Sequence, residues 1–539
     1  MTDSIIQRLA DHALRQGDKV ALYGRQADGQ TYQLTYQQLY QDVFRWADVI
    51  RQAYPDSEGN LVPIFTQKSP SMVVGILASM AAGQCAAPLN NKLRPVQLAQ
   101  VLDASSARIG FIDNAALLAL RTAKQGDIPA HCQWLWHDHH VAQKMHHNQF
   151  NRLQDWLPIM PWQPGEASEI MAPVIADGPG VCLFTSGSTG VPKGVLIGVD
   201  DLLARAEAEI GLFSLSGDDV LLNILPFSFD VGLNQLLTAI VVGAPLVILD
   251  SWLPTDIINA VATFGVTGIS GVPAIWQDFL HQQLAFNVPS TLRYITVSGG
   301  SLAHELVTRL PSLAPNLQVF KTYGQTEAFR LTALHPQHLH SKPNSVGTPF
   351  GGARVYIVNE RGESAAPMEE GEVIHTGLGT MHGYLGEVAG DEKCRANPFA
   401  TGPDDPQLAI YTGDYGYLDE DGFLFLRGRK DHMVKISGNR VYPNEVVPHL
   451  LALDAVADAA VVAVPHENDY TLVAALVATA EPLDNLMVIR HIGQMVAAYM
   501  VPRHVLWLPS LPRTASGKPD LNTIQQMATQ HVVDAQSQR

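Results

Sequence analysis

Cysteine is scarce in this chain: Cys85, Cys132, Cys182 and Cys394 are the only four in 539 residues, and no two form a C-x-x-C pair. Their wide separation indicates neither a zinc site nor a disulfide framework. Basic residues are also short, with 35 Lys and Arg against 52 Asp and Glu, a formal net charge of −17. That excess of acid argues against a surface for nucleic acid or for an anionic membrane. No apolar stretch reaches the ~20 residues of a membrane span. Met1 to Ala10 is polar and amphipathic, without the apolar centre of a signal peptide. The shortages together predict a soluble, cytoplasmic chain. A length of 539 residues is too great for one ordinary core, and suggests about three or four folding units.

What the chain has in quantity is alternation. Val20 to Tyr23 reads as a strand, and from Thr35 to Ala53 the apolar Leu39, Val43, Ala47 and Ile50 recur three and four apart, as on one face of a helix. Thr35 with Gln38 three residues later predicts a capping box at its start. Val62 to Phe65 reads as a strand, Met72 to Ala82 as an apolar helix closed by Gly83, and Ala86 to Leu89 as the next strand. The rhythm resumes with a helix over Asp200 to Phe213. It continues through strands at Val220 to Leu225, Val247 to Leu249, Gly268 to Ser270, Tyr294 to Val297 and Val319 to Tyr323, with helices at Leu236 to Val242 and Ile257 to Phe264. Strand and helix in turn predict parallel sheets covered by helices. Two stretches break the rhythm. Residues 128 to 180 hold His131, His137, His139, His140, His146 and His147 among tryptophans and prolines. Their spacing matches no common metal-ligand pattern, so a surface excursion is expected there. Ser345 to Leu385 is rich in glycine, proline and β-formers and predicts a small, distorted antiparallel barrel.

Between two apolar runs lies Thr185-Ser186-Gly187-Ser188-Thr189-Gly190-Val191-Pro192-Lys193-Gly194. Glycine lets backbone N–H groups turn toward an anion, hydroxyls add donors and a lysine adds charge. This is the chemistry of a phosphate cradle. It is not the Walker A loop, whose lysine precedes Ser or Thr and opens a helix. Taken alone, a Gly/Ser turn between two strands would look partly similar. Three further motifs follow it: Tyr323-Gly324-Gln325-Thr326-Glu327, then Tyr411-Thr412-Gly413-Asp414 with Arg427-Gly428-Arg429-Lys430-Asp431, and lastly Pro512-Arg513-Thr514-Ala515-Ser516-Gly517-Lys518.

In identity, order and spacing these four motifs resemble the adenylate-forming superfamily of acyl-CoA synthetases, luciferases and peptide-synthetase adenylation domains. The resemblance spans roughly residues 20 to 525. It implies a large N-terminal domain over 1–430, built of two parallel α/β sheet subdomains and a small β-barrel. The charged, short run Arg427 to Asp431, flanked by strands, reads as a linker. A small mobile α+β domain over 431–539 would carry the catalytic lysine, and Asp431 would be the hinge. It further implies that Thr185, Ser186, Gly187, Ser188, Thr189, Gly190 and Lys193 hold the β- and γ-phosphates of ATP. Gly300, Thr322, Tyr323, Gly324 and Thr326 would line the nucleotide, with Tyr323 near the adenine and Thr326 on the α-phosphate. Asp414 would accept the ribose diol with Arg429 beside it, and Glu327 would help to hold Mg²⁺. The family often has proline where Gln325 stands, a small departure. Lys518 would bridge the substrate carboxylate and the phosphate in the transition state. Positioning and charge neutralisation supply most of such catalysis.

The acyl substrate would meet Phe229, Asp230, Ser298, Gly299 and Arg330. Asp230 stands at the edge of an apolar segment, where a carboxylate is costly unless paired. It reads either as a helix N-cap, which aspartate favours, or, by the resemblance, as the anchor of an amino acid's ammonium. Arg330 would either shorten the pocket, favouring a very small amino acid, or pair with Asp230. Only 21 residues follow Lys518, too few for a folded carrier domain. A stand-alone enzyme is therefore expected, and its acceptor would be a separate phosphopantetheinylated carrier protein or coenzyme A. Within the superfamily the chain looks like the Vibrio glycine–carrier protein ligases of lipid A glycylation. The competing expectations are an acyl-CoA ligase for a fatty or aryl acid and a non-catalytic nucleotide-binding scaffold, which would be expected to lack Lys518, Glu327 or the phosphate loop.

Overall fold

The computed structural model describes residues 3–25, 31–55, 58–91, 93–120, 123–136, 159–161, 178–186, 192–281, 288–300, 304–386, 393–403, 405–436, 439–466, 469–514 and 517–537. The fold is mixed α/β, with a large N-terminal part and a smaller C-terminal one. A nine-stranded sheet runs in the order Thr348–Pro349, Phe329–Leu334, Gln318–Gln325, Tyr294–Ser298, Gly268–Gly271, Leu221–Asn223, Leu246–Ile248, Val20–Arg25, Thr31–Thr35. Its six central strands, from Gln318–Gln325 to Val20–Arg25, are parallel. Antiparallel strands close both edges. An eight-stranded sheet runs Gly383–Tyr384, Pro192–Gly198, Pro179–Ser186, Cys85–Pro88, Leu61–Phe65, Ile109–Ile112, Gln133–Trp136, Ile159–Pro161, and is antiparallel only at its first three strands.

The helices between the two sheets explain why they pack as one body. Thr35 accepts the Gln38 amide at 3.2 Å and Gln38 accepts the Thr35 amide at 2.9 Å. This is the predicted capping box, and it starts helix Tyr36–Ala53. Helix Pro70–Ala81 is buried at all twelve positions, as expected of a helix that is apolar all round. It shares one core with helices Tyr36–Ala53 and Asp230–Val242 and with strands of both sheets.

Three differences from the sequence reading are physical. Helix Asp230–Val242 begins six residues before the predicted Leu236, because Asn234, Gln235 and Asp230 break the apolar pattern while remaining buried inside the protein. Ser345 to Leu385 contributes to a five-stranded antiparallel sheet that also takes in Cys394–Ala396, Leu408–Leu418 and Leu424–Arg429. The charged run at Arg427 is the end of strand Leu424–Arg429, not a linker, and only the single turn Lys430–His432 separates it from the C-terminal part. Strands Val456–His466, Asp469–Ala478 and His504–Trp507 form the small sheet there, with helix Leu521–Ser537 on one face. The other face shares a core with Trp276, Phe279 and Phe423 of the large part. Of the predicted histidine cluster, His131 is exposed and the rest lie outside the described residues.

Candidate active site

The carboxyl ends of the parallel strands, where open α/β sheets take their ligands, gather most of the predicted residues. Strands Pro179–Ser186 and Pro192–Gly198 form an antiparallel hairpin in which Thr185 pairs with Lys193. The Thr185 hydroxyl donates to the Lys193 carbonyl at 3.4 Å. Gly187, Ser188, Thr189 and Gly190 lie outside the described residues, as does the side chain of Ser186. The cradle's two ends are thus described and its tip is not.

The second strand of this hairpin pairs with Gly383–Tyr384, Val195 opposite Tyr384. Lys193 Nζ stands 4.9 Å from the centre of the Tyr384 ring. The Tyr384 hydroxyl donates to Glu327 Oε1 at 2.9 Å, and the Lys393 ammonium donates to the same oxygen. Glu327 sits with Thr326 in the turn that joins strands Gln318–Gln325 and Phe329–Leu334. Gly324 permits the crossing there, since a Cβ at that position would fall 1.8 Å from the Phe329 carbonyl oxygen. Glu327 is buried. Burial alone would raise its pKa, but the Lys393 charge and hydrogen bond, with Tyr384, hold it below the usual carboxylate range.

Tyr323, near the end of strand Gln318–Gln325, donates to Asp414 Oδ2 at 2.6 Å. Arg429 Nη1 lies 3.7 Å from Asp414 Oδ1 and donates to the Thr412 carbonyl at 3.0 Å. Burial pushes the Asp414 carboxyl up, opposed by the Tyr323 hydroxyl and by Arg429, Lys518 and Lys393. Thr322 and Ser298 join hydroxyl to hydroxyl at adjacent strand ends.

Phe229 is the N-cap of helix Asp230–Val242, so Asp230 is its first helical residue and not the cap. The Asp230 carboxylate is buried, takes the Val231 amide, and leaves Oδ1 without a partner. Burial raises its pKa against the pull of Lys518 and Arg330. Asn234, one turn on, also has an unpartnered buried oxygen. Arg330 does not pair with Asp230. Its guanidinium donates to Glu209 and, at 3.2 Å, to Ser270 Oγ, with Arg330 and Glu209 both buried.

The C-terminal part delivers Lys518 to this cluster. Its Nζ is 5.9 Å from the centre of the Phe229 ring, and a Cβ on Gly299 would lie 3.3 Å from its Cε. Gly300 follows Gly299 at the end of strand Tyr294–Ser298. The loop that carries Lys518 rests on Trp252, whose indole donates to the Ile224 carbonyl at 3.0 Å. Asp431 lies in the turn Lys430–His432.

Residues 9–385 match the family described as AMP-binding enzyme, and residues 449–518 match the AMP-binding enzyme C-terminal domain. The chain belongs to the AMP-binding enzyme family. This AMP-binding enzyme is 26% identical over 530 residues to a D-alanine–D-alanyl carrier protein ligase of Bacillus cereus, an overlap of 96% of this chain and 98% of that protein. It is 29% identical over 337 residues to a 2-succinylbenzoate–CoA ligase of Bacillus mycoides, covering 62% of this chain and 67% of that one. Among solved structures it resembles o-succinylbenzoate CoA synthetase of Bacillus subtilis in complex with its acyl-adenylate, with a TM-score of 0.78, 24% identity and 97% and 99% coverage. An anthranilate CoA ligase bound to anthranoyl-AMP gives a TM-score of 0.83 at 19% identity, covering 98% of each chain. These structural likenesses concern the fold.

Four residues of this AMP-binding enzyme's site escape a reading of its sequence. Lys393, Tyr384, Glu209 and Trp252 lie in none of the four motifs, and each reaches the site through a contact more than 50 residues away in the chain. A long-range contact leaves no local pattern.

Proposed function

We propose that this enzyme activates a small amino acid, glycine foremost, and passes it to the phosphopantetheine thiol of a separate carrier protein. The coarser chemistry is that of an ATP-dependent, AMP-forming ligase with ATP and Mg²⁺ as its cofactors. A substrate carboxylate oxygen attacks the α-phosphorus of ATP and pyrophosphate leaves. A thiol then attacks the acyl carbon of the acyl-adenylate and AMP leaves. Lys518, beside Phe229, would join carboxylate and phosphate oxygens, while Lys193 and the rest of the 185–194 loop would hold the departing phosphates. Glu327 would hold Mg²⁺, which supplies charge neutralisation to the phosphates. A cation already stands on that carboxylate, so the corner suits a positive ion. Asp414, held by Tyr323 and Arg429, offers its oxygens to a ribose diol. Asp431 would be the hinge that lets the small part turn between the two steps, with the boundary between the parts at residues 430 and 431.

The observation that carries the amino-acid reading is the unpartnered Oδ1 of buried Asp230. A buried carboxylate oxygen without a donor costs about 1–3 kcal/mol or more, and an ammonium would satisfy it. Arg330 makes no ion pair with Asp230; its two terminal nitrogens go to Glu209 and Ser270. The buried Arg330–Glu209 pair would put a long side chain into the pocket wall, which would favour a substrate with little or no side chain. The likeness to D-alanine–carrier ligases over nearly the whole chain supports a carrier thiol, and the resemblance to glycine–carrier ligases of lipid A glycylation favours glycine. Coenzyme A is the alternative acceptor, which the 2-succinylbenzoate–CoA ligase relatives support.

ATP–pyrophosphate exchange should appear with glycine or alanine and vanish in Asp230→Ala. Thioester should then form on a phosphopantetheinylated carrier rather than on coenzyme A. Exchange with octanoate or benzoate alone, undiminished by Asp230→Ala, would overturn the amino-acid reading.

A further inference from the structure

The proposed metal carboxylate poses a problem when no nucleotide is bound. Glu327 is buried, its side chain 8% exposed. An isolated buried carboxylate is costly. Mg²⁺ dehydrates reluctantly and is usually bound through one or two carboxylates together with substrate phosphates. It would therefore arrive with ATP and leave Glu327 unneutralised before then. Lys393 fills the gap. Its ammonium donates to Glu327 Oε1, the oxygen that also accepts Tyr384. Its positive charge also acts on the Asp414 carboxyl, opposing the upward push of burial there. The Lys393 carbonyl accepts the Tyr411 amide at 2.7 Å, which fixes its backbone beside strand Leu408–Leu418. Its side chain is 29% exposed, and a four-carbon stem leaves a lysine ammonium free to change partners.

We propose that Lys393 is a resident counter-ion for Glu327, neutralising it while the nucleotide site is empty and turning to the phosphates when Mg²⁺ and ATP enter together. The inference rests on the reading of Glu327 as the metal carboxylate. It makes metal and nucleotide bind as one unit, because the metal alone must displace a fixed positive charge that the triphosphate alone can take over.

The test is Mn²⁺ binding to the full chain, followed by the electron paramagnetic resonance of free Mn²⁺, with and without ATP. Without nucleotide, Lys393→Met should bind Mn²⁺ at least about tenfold more tightly than the unaltered protein, a factor equal to about 1.4 kcal/mol. Lys393→Gln should behave the same way and Lys393→Arg should restore weak binding. With ATP present the order should reverse, since Lys393→Met lacks the cation that receives the phosphates. Equal Mn²⁺ affinity in Lys393→Met, Lys393→Gln and the unaltered protein without nucleotide would overturn the proposal. The reading beneath it is tested apart. Glu327→Gln should weaken Mn²⁺ binding in the presence of ATP, and no change there would remove Glu327 as the metal carboxylate whatever Lys393 does.

Discussion

Asp230 is a burden on the folded chain as it stands. Burial raises its pKa above that of the unfolded chain. The stability this group contributes is therefore full below the unfolded pKa and is lost as pH rises through the folded one. At neutral pH the charged form opposes folding. Asp230→Asn keeps the shape and removes the charge, so it should raise stability at pH 7 by roughly 0.5–2 kcal/mol, with the gain fading toward acid pH. It should also abolish amino-acid-dependent exchange. Thermal melting across pH checks this, and a lower melting temperature at pH 7 would mean that the charge is structurally paired. The sequence makes Asp230 visible as an acid beside apolar residues, and leaves cap and anchor undecided. The helix starts at Asp230 with Phe229 as its N-cap, which removes the cap reading, and the unpartnered oxygen is what supports the proposed anchor. Arg330 is similar: its position in the chain marks it, but its partner Glu209 is 121 residues away in a helix whose pattern gives no sign of a buried acid.

Among the elements, the loop around Lys518 depends on Gly517 in two ways. Gly517 has φ of +81°, and a Cβ there would fall 2.2 Å from the Trp252 ring. Gly517→Ala therefore both strains the backbone and lifts the loop off its support. A displacement of about 1 Å at a reacting centre can cost about 10²-fold. Adenylate formation should fall by about that factor, and thioester formation from preformed adenylate should change little. Lys518→Ala should divide the half-reactions in the same sense. Equal loss in both would place the loop's role elsewhere. The loop's sequence shows it as a Pro/Ser/Gly turn with a lysine, but not what it lands on. The same holds across the fold. Buried parallel strands read as short apolar runs, so the sheet interiors are legible. The two-residue strand Gly383–Tyr384 is defined by its partner Pro192–Gly198, far back along the chain, and is not.

At the scale of the whole molecule, one side chain spans the proposed boundary. Arg427 donates from Nε to Glu370 of the large part at 2.8 Å, and its Nη1 reaches Glu445 of the small part at 3.4 Å. If the small part turns at Asp431, the bond to Glu445 is the one that breaks. Exposed ion pairs are weak and screened by salt. Arg427→Ala should therefore slow adenylate formation only a few-fold, leave thioester formation from preformed adenylate unslowed, and reduce the salt dependence of the first step. Separate single-turnover measurements of the two steps check this, and identical slowing of both would count against the bridge. The pairing of Tyr384 with Val195 has a consequence of another kind. The Thr185–Lys193 hairpin and the hydroxyl that braces Glu327 are parts of one strand pair, so movement of one would be passed to the other. A hairpin drawn onto the triphosphate would swing the brace, and its release with pyrophosphate would swing it back. Departure of the leaving group would then itself reset the corner for the next nucleotide.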